Sequence, residues 1–177
     1  MLLYIILALI IILCVFIMAI NIYNYNKFQI TIIKISEAEE NISMILKEKL
    51  ELLLKIDKLV KKKAKENMFE GLEEINVDFI NNFELNKKLS KYDKTIIELT
   101  DYNKDIKFDA KDNKLFDDIN NINIECKAYE KYYNDNVTIY NKLVSCFPSN
   151  IIAKVKKYRI KDFYSNEKEE IFEILKQ

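Results

Sequence analysis

The chain has no histidine and no tryptophan, and only one glycine (Gly71), one proline (Pro148) and one arginine (Arg159). Without an imidazole there is no Ser/His/Asp or Cys/His relay and no histidine-bearing metal site. A single glycine cannot build a phosphate-cradling loop or a dinucleotide fingerprint, both of which use several. The 28 basic and 28 acidic residues cancel, so no global field draws the chain to nucleic acid. Cys14, Cys126 and Cys146 show no metal-binding spacing. The last two stand twenty residues apart on one expected helix, about 30 Å and out of disulfide range. All three read as small buried apolar residues. The expectation from these absences is a protein that is not an enzyme, with no catalytic residue, no cofactor and no metal. Abundant Lys, Asn, Ile and Tyr beside so little Gly and Pro match an A/T-rich coding genome, which argues against reading any one lysine or asparagine as selected for chemistry.

What is present begins with an apolar run. Residues 2–20, LLYIILALIIILCVFIMAI, carry no charge, glycine or proline. As a helix they rise about 28 Å, close to a hydrocarbon core of about 30 Å. A cleaved signal peptide calls for a basic start, a shorter apolar core and a small-x-small cleavage site. The run has none of these and reads as a retained single-pass anchor, with Tyr23 and Tyr25 at the membrane interface. No basic residue precedes it, whereas Lys27 and Lys34 follow. That asymmetry predicts an outside N-terminus and a cytoplasmic body.

Beyond the anchor the spacing is helical, with no useful strand-type alternation. Ile35, Ala38, Ile42, Ile45, Lys49, Leu53, Ile56 and Val60 step by three and four, and Leu46, Leu50 and Leu59 widen the stripe. This predicts one helix from Asn21 to about Asn67, interrupted only by Lys49 and hinged at NIYNYN, residues 21–26. Residues 68–84 read as a frayed end and a connection. Leu85, Leu89, Tyr92, Ile96, Leu99 and Tyr102 mark a second helix, and 103–109 a polar turn. A third spans Asp109 to Phe147 on Leu115, Ile119, Ile122, Cys126, Tyr129, Tyr133, Val137, Tyr140, Val144 and Phe147.

Pro148 stops that helix, because it lacks an amide hydrogen and pushes its predecessor out of the helical region. Ser149 is expected to cap a short helix reaching about Tyr158, and Asn166 a terminal one with Ile171, Phe172 and Ile174. Long helices with one apolar face hide those faces only against each other. The expected fold is therefore all-α: a transmembrane helix continuing into an antiparallel three- to four-helix bundle with coiled-coil-like long helices. The predicted divisions are an anchor at 1–20, a stalk at 21–34, the bundle at 35–158 and a short C-terminal helix or tail at 159–177.

Tyr133-Asn134, Val137, Tyr140-Asn141 and the block Phe147-Pro148-Ser149-Asn150 resemble the signature of the LemA family, whose two Tyr-Asn pairs stand seven residues apart before a Phe-Pro-Ser-Asn end. Tyr25-Asn26 resembles the pair that follows the family's anchor. Glu37, Ala38, Asn41, Ile42, Leu46 and Lys47 resemble its Glu-Ala-x-x-Asn-Ile-x-x-x-Leu-Lys segment. Glu39 stands where the family usually has Trp, and Leu53-Leu54-Lys55 where it has Ile-Pro-Asn, so the first helix here is straighter. The resemblance implies an anchored, cytoplasm-facing helical bundle of a kind found widely in bacteria, with no enzymatic activity assigned to the family as a whole. One member type is similar to proteins that help form magnetosome membranes, which makes membrane organisation a theme by analogy.

The tyrosines of the signature share a stripe with Val137, Val144 and Phe147 and are read as core, with Asn134 and Asn141 beside them fixing register by hydrogen bonds. Two basic runs stand apart from this: Lys58, Lys61, Lys62, Lys63 and Lys65, then Lys154, Lys156, Lys157, Arg159 and Lys161. If the second helix returns and the third leads away, both runs reach the distal end. They are then either solvated helix termini or a basic tip for an anionic surface. Glu37, Glu39, Glu40, Glu73 and Glu74 read as solvated surface, since a di-metal bundle needs Glu-x-x-His repeats. The first reading of function is a scaffold or adaptor for membrane-associated protein partners, able to self-associate. The alternative is a membrane-remodelling protein whose tip touches lipid, and a third is a ligand receptor or enzyme using a tyrosine-lined interior.

Overall fold

With neither glycine nor proline before position 71, nothing in the first 64 residues breaks a helix, and α1 runs in one piece over Leu2–Ala64. The NIYNYN stretch is not a hinge. Asn21, Asn24 and Thr31 each donate a side-chain bond to the carbonyl four residues back, on Ile17, Ile20 and Lys27 (2.8, 3.0 and 2.8 Å). These side chains thus bond within the helix instead of competing for the backbone groups of a turn. The structure, a computed structural model, describes residues 1–64, 67–99 and 108–164. Its other helices are α2 (Asn82–Leu89), α3 (Lys91–Ile97), α4 (Ala110–Ser145) and α5 (Ser149–Lys156), with one 3-10 turn at Val77–Phe79. No strand occurs among the described residues, and the fold is all-α. Tyr102, the turn at 103–107, Asn166 and the expected terminal helix lie outside the described residues.

Two compact units are formed, Ala38–Lys131 and Met1–Glu37 with Tyr132–Gln177, so α1 and α4 each contribute to both. In the first unit Ala38, Ile42, Ile45, Leu46, Lys49, Leu53, Ile56 and Val60 of the α1 stripe are buried, and Leu50 and Leu59 at its edge are half-buried. Leu85, Leu89, Ile96 and Leu99 face it from α2, α3 and the turn that follows, and Ile119, Ile122 and Cys126 from α4.

The direction of the second helix departs from expectation. Asn82 bonds the Glu39 carbonyl (3.1 Å) and Asp93 meets Lys49 (2.9 Å), so α2 and α3 run parallel to α1. The return is made by the connection: Lys61 pairs with Glu73 (3.4 Å), and nine residues later the chain is back at Glu39. Gly71 turns this connection at φ 78°, a value that favours glycine. Phe69 and Leu72 pin it to the core, and Tyr92 donates to the Glu70 carbonyl at 2.8 Å.

The start of α4 is a reciprocal cap. Asp109 accepts from the amides of Lys111 and Asp112 (both 2.9 Å), and Asp112 accepts from the amide of Asp109 (2.9 Å). Lys63 with Asp112 and Lys49 with Asp93 and Asn123 then set α4 antiparallel to α1.

In the second unit α4 comes back beside the start of α1. Phe28, fully buried, meets the edge of Tyr140 at 5.8 Å and the ring of Tyr158 at 5.1 Å. Pro148 does end the long helix, but α4 closes at Ser145, two residues before Phe147. Phe147 therefore leaves the tyrosine stripe and is 80% exposed. Ser149 is the first residue of α5, not its cap, and its hydroxyl donates back to the Cys146 carbonyl (2.9 Å). Lys157 ends α5 in the left-handed region (φ 56°), and Tyr158 returns its amide to Ala153 (2.9 Å). Residues 158–164 then leave without helical structure.

Candidate functional site: the tyrosine-asparagine ledge

The two Tyr-Asn pairs meet in one place, a ledge on α4 that grips residues 158–164. Asn141 closes a two-bond ring on one backbone unit: its Nδ2 donates to the Lys161 carbonyl (2.9 Å) and its Oδ1 accepts from the Lys161 amide (2.8 Å). Asn134 accepts from the Tyr164 amide (2.7 Å), and Tyr133 donates its hydroxyl to the Asp162 carbonyl (3.2 Å). Seven helical residues rise about 10.5 Å, and three extended residues cover about 10 Å. The heptad spacing of the asparagines thus matches positions 161 and 164 of a strap running antiparallel to α4. A non-helical segment cannot pair its own backbone groups, and the ledge supplies the partners.

Tyr140 lies beneath the strap, its hydroxyl pushed above its ordinary pKa by burial and then by Tyr158. The Tyr158 hydroxyl accepts from Gln29 (3.0 Å). Tyr133, Asn134, Tyr140 and Asn141 are thus engaged inside the unit. The core reading of Tyr133, Val137 and Tyr140 agrees with the structure; Val144 is half-buried. Tyr25 and Asn26 are exposed, as is Glu37, while Ala38 is buried, Asn41 half-buried, Ser149 buried, and Pro148 and Asn150 half-buried.

The two basic runs belong to different units. Lys61 lies 2.8 Å from the buried Asp57, and that hydrogen bond raises its pKa. Lys63 pairs with Asp112, whose carboxyl is held below its ordinary value by Lys63 first and then by the Asp109 amide. Lys62 is exposed. Lys154, Lys156, Lys157 and Arg159 belong to the other unit, all exposed, with the Lys156 ammonium 5.5 Å from the centre of the Tyr25 ring. The connection makes the return that helix 2 was expected to make, so α4 carries this second run back to the anchor side.

Sequence reasoning missed a polar cavity of about 500 Å³ in the first unit. Lys49, only 2% exposed, holds Asp93 through both carboxylate oxygens (2.9 and 3.0 Å), and Asn123 donates to the same group (3.1 Å). Asn86 donates to Glu130, whose pKa is raised by burial. The signal was Lys49 itself, the one polar residue on an apolar stripe. Cys126 lines the cavity, and burial pushes its thiol up to about 12, which leaves it protonated and a poor nucleophile. Cys146, by contrast, is exposed, against the expectation of burial. No cluster of three or more metal-ligating side chains occurs among the described residues, and Glu37, Glu39, Glu40, Glu73 and Glu74 are exposed.

No curated protein and no solved structure matches the chain. The family model described as LemA family matches residues 38–174. That span starts at Ala38, after Tyr25, Asn26 and Glu37, and takes in the ledge, the Phe-Pro-Ser-Asn block and the strap that the ledge holds. By that match and by the geometry its signature residues adopt, the chain belongs to the LemA family.

Proposed function

We propose that this protein is a non-enzymatic, single-pass membrane protein whose helical body serves as a scaffold or adaptor for membrane-associated protein partners. The observation that carries the reading is α1. Its first nineteen residues are apolar and exposed or nearly so, and the same helix continues without a break into the folded body. A helix of this kind transmits position rather than chemistry, holding the body at a fixed place beside the bilayer. The non-enzymatic part is supported by the inward use of the signature: the amides and hydroxyls most suggestive of a site are taken by the strap.

The body faces the cytoplasm in this reading, with self-association through exposed helix faces and no role for nucleic acid or a cofactor. In-cell photocross-linking of the full chain tests it. Recovery of a reproducible set of proteins is the expected result, and recovery of lipid or of the chain alone overturns the adaptor in favour of direct membrane organisation.

A further inference from the structure

The outer side of α5 is apolar. Val155 is 75% exposed and Ile151 51% exposed, one turn apart, and Phe147, four residues before Ile151, is 80% exposed. Their inner neighbours Ile152 and Ala153 are buried. Between α5 and α1 lies a groove of about 340 Å³ lined by Asn21, Ile22, Tyr25, Ile151, Val155 and Lys156. Asn21 to Tyr25 are the first residues after the apolar run, within about 8 Å of its end along a helix. That is the depth of the headgroup layer, a few ångströms beyond the hydrocarbon core.

Charge gives the second observation. Within the unit, residues 1–36 and 136–161 contain eight basic residues and no Asp or Glu, and Glu37, Asp135 and Asp162 border these stretches. The chain's zero net charge conceals this segregation. An apolar ridge flanked by exposed lysines, level with the end of a spanning helix, has the makeup of an interfacial amphipathic helix.

We infer that α5 lies on the bilayer that carries the anchor, with Phe147, Ile151 and Val155 in the headgroup-acyl boundary and Lys154, Lys156, Lys157 and Arg159 on anionic phospholipid headgroups. The inference rests on the reading of residues 2–20 as a membrane span and adds a second contact with the same leaflet. It fixes the rotation of this unit about the start of α1, because one helix alone leaves that rotation free.

The absence of native tryptophan supplies the probe. Single-tryptophan full-length chains, Val155→Trp and, as a second position, Ile151→Trp, are reconstituted in phosphatidylcholine vesicles with and without phosphatidylglycerol, using brominated acyl chains as quenchers. Phe16→Trp reports on the span itself. The expected result is blue-shifted, bromine-quenched emission from both α5 positions, stronger with phosphatidylglycerol. That lipid dependence is lost when Lys154, Lys156, Lys157 and Arg159 are all changed to Gln. Quenching at Phe16→Trp with red, unquenched emission from both α5 positions overturns the inference and leaves the span intact. Blue-shifted but unquenched emission from α5 means that protein covers the ridge, and overturns it too. Failure of quenching at Phe16→Trp overturns the span reading on which it rests.

Discussion

In the unit of residues 38–131 charge is carried inside: Lys49 meets Asp93, Asp57 lies buried beside Lys61, and Lys63 ties the end of α1 to the cap of α4. In the unit that carries the apolar run, neutral amides and hydroxyls bind the strap, and no acidic residue occurs in 1–36 or 136–161. The same two long helices serve both. The difference shows that position along a helix, not helix type, decides which chemistry holds the fold. Ion pairs specify partners where opposite charges are available. Hydrogen-bonded asparagines specify register without adding negative charge, which would repel an anionic surface.

The largest expected effect breaks the charged unit. Asp93→Ala strands the buried ammonium of Lys49 and should cost about 3 kcal/mol in denaturant unfolding. Lys49→Met replaces that charge with an apolar side chain and leaves Asp93 partly solvated, so it should cost clearly less. Equal losses would show that the pair is not a buried charge in need of its partner. Next comes the neutral unit: Asn141→Ala leaves the amide and carbonyl of Lys161 without their partner and should cost about 2 kcal/mol. Limited trypsin digestion should then cut after Arg159 or Lys161 much faster than in the parent chain.

Acid sharpens the contrast within the charged unit. The Asp112 carboxyl has a folded pKa below its ordinary value, so its contribution is full above the unfolded value and is lost as pH falls through the folded one. Asp112→Asn should be less stable at neutral pH, with the gap closing in acid. Glu130 has the opposite sign: its raised folded pKa makes its charge a penalty at neutral pH that disappears as pH falls. Glu130→Gln should therefore gain stability at pH 7 and lose that advantage near pH 4. Curves that move together would refute the assignment. The smallest effect is at the left-handed Lys157, where Lys157→Gly should stabilise by up to about 1 kcal/mol in thermal unfolding.

Much of the fold was legible because burial imposes a period. The stripe from Ile35 to Val60 and the proline stop correspond to what the structure holds, while the series Leu85 to Leu99, expected on one helix, is divided at Ser90 between α2 and α3 and the residues that follow. Periodicity carries no direction, however, so nothing in Leu85 to Leu99 told whether that helix runs with α1 or against it. The period also carried Phe147 along, although Pro148 had already taken it out of helical geometry.

The strap was illegible for a different reason. Residues 158–164 have no period of their own, and their partners are side chains far away in sequence. Only the seven-residue repeat of Tyr-Asn hinted at them, and its length has meaning once three extended residues are set beside two helical turns. Lys49 was visible as an interruption, but its counterion is 44 residues distant and gave no local sign.

Amide hydrogen exchange of Lys161 and Tyr164 in the full-length protein tests the central claim most directly. Both amides should exchange slowly in the parent chain, with Lys161 released by Asn141→Ala and Tyr164 by Asn134→Ala. Fast exchange at both positions in the parent chain would contradict the account, since the family signature would then be holding nothing.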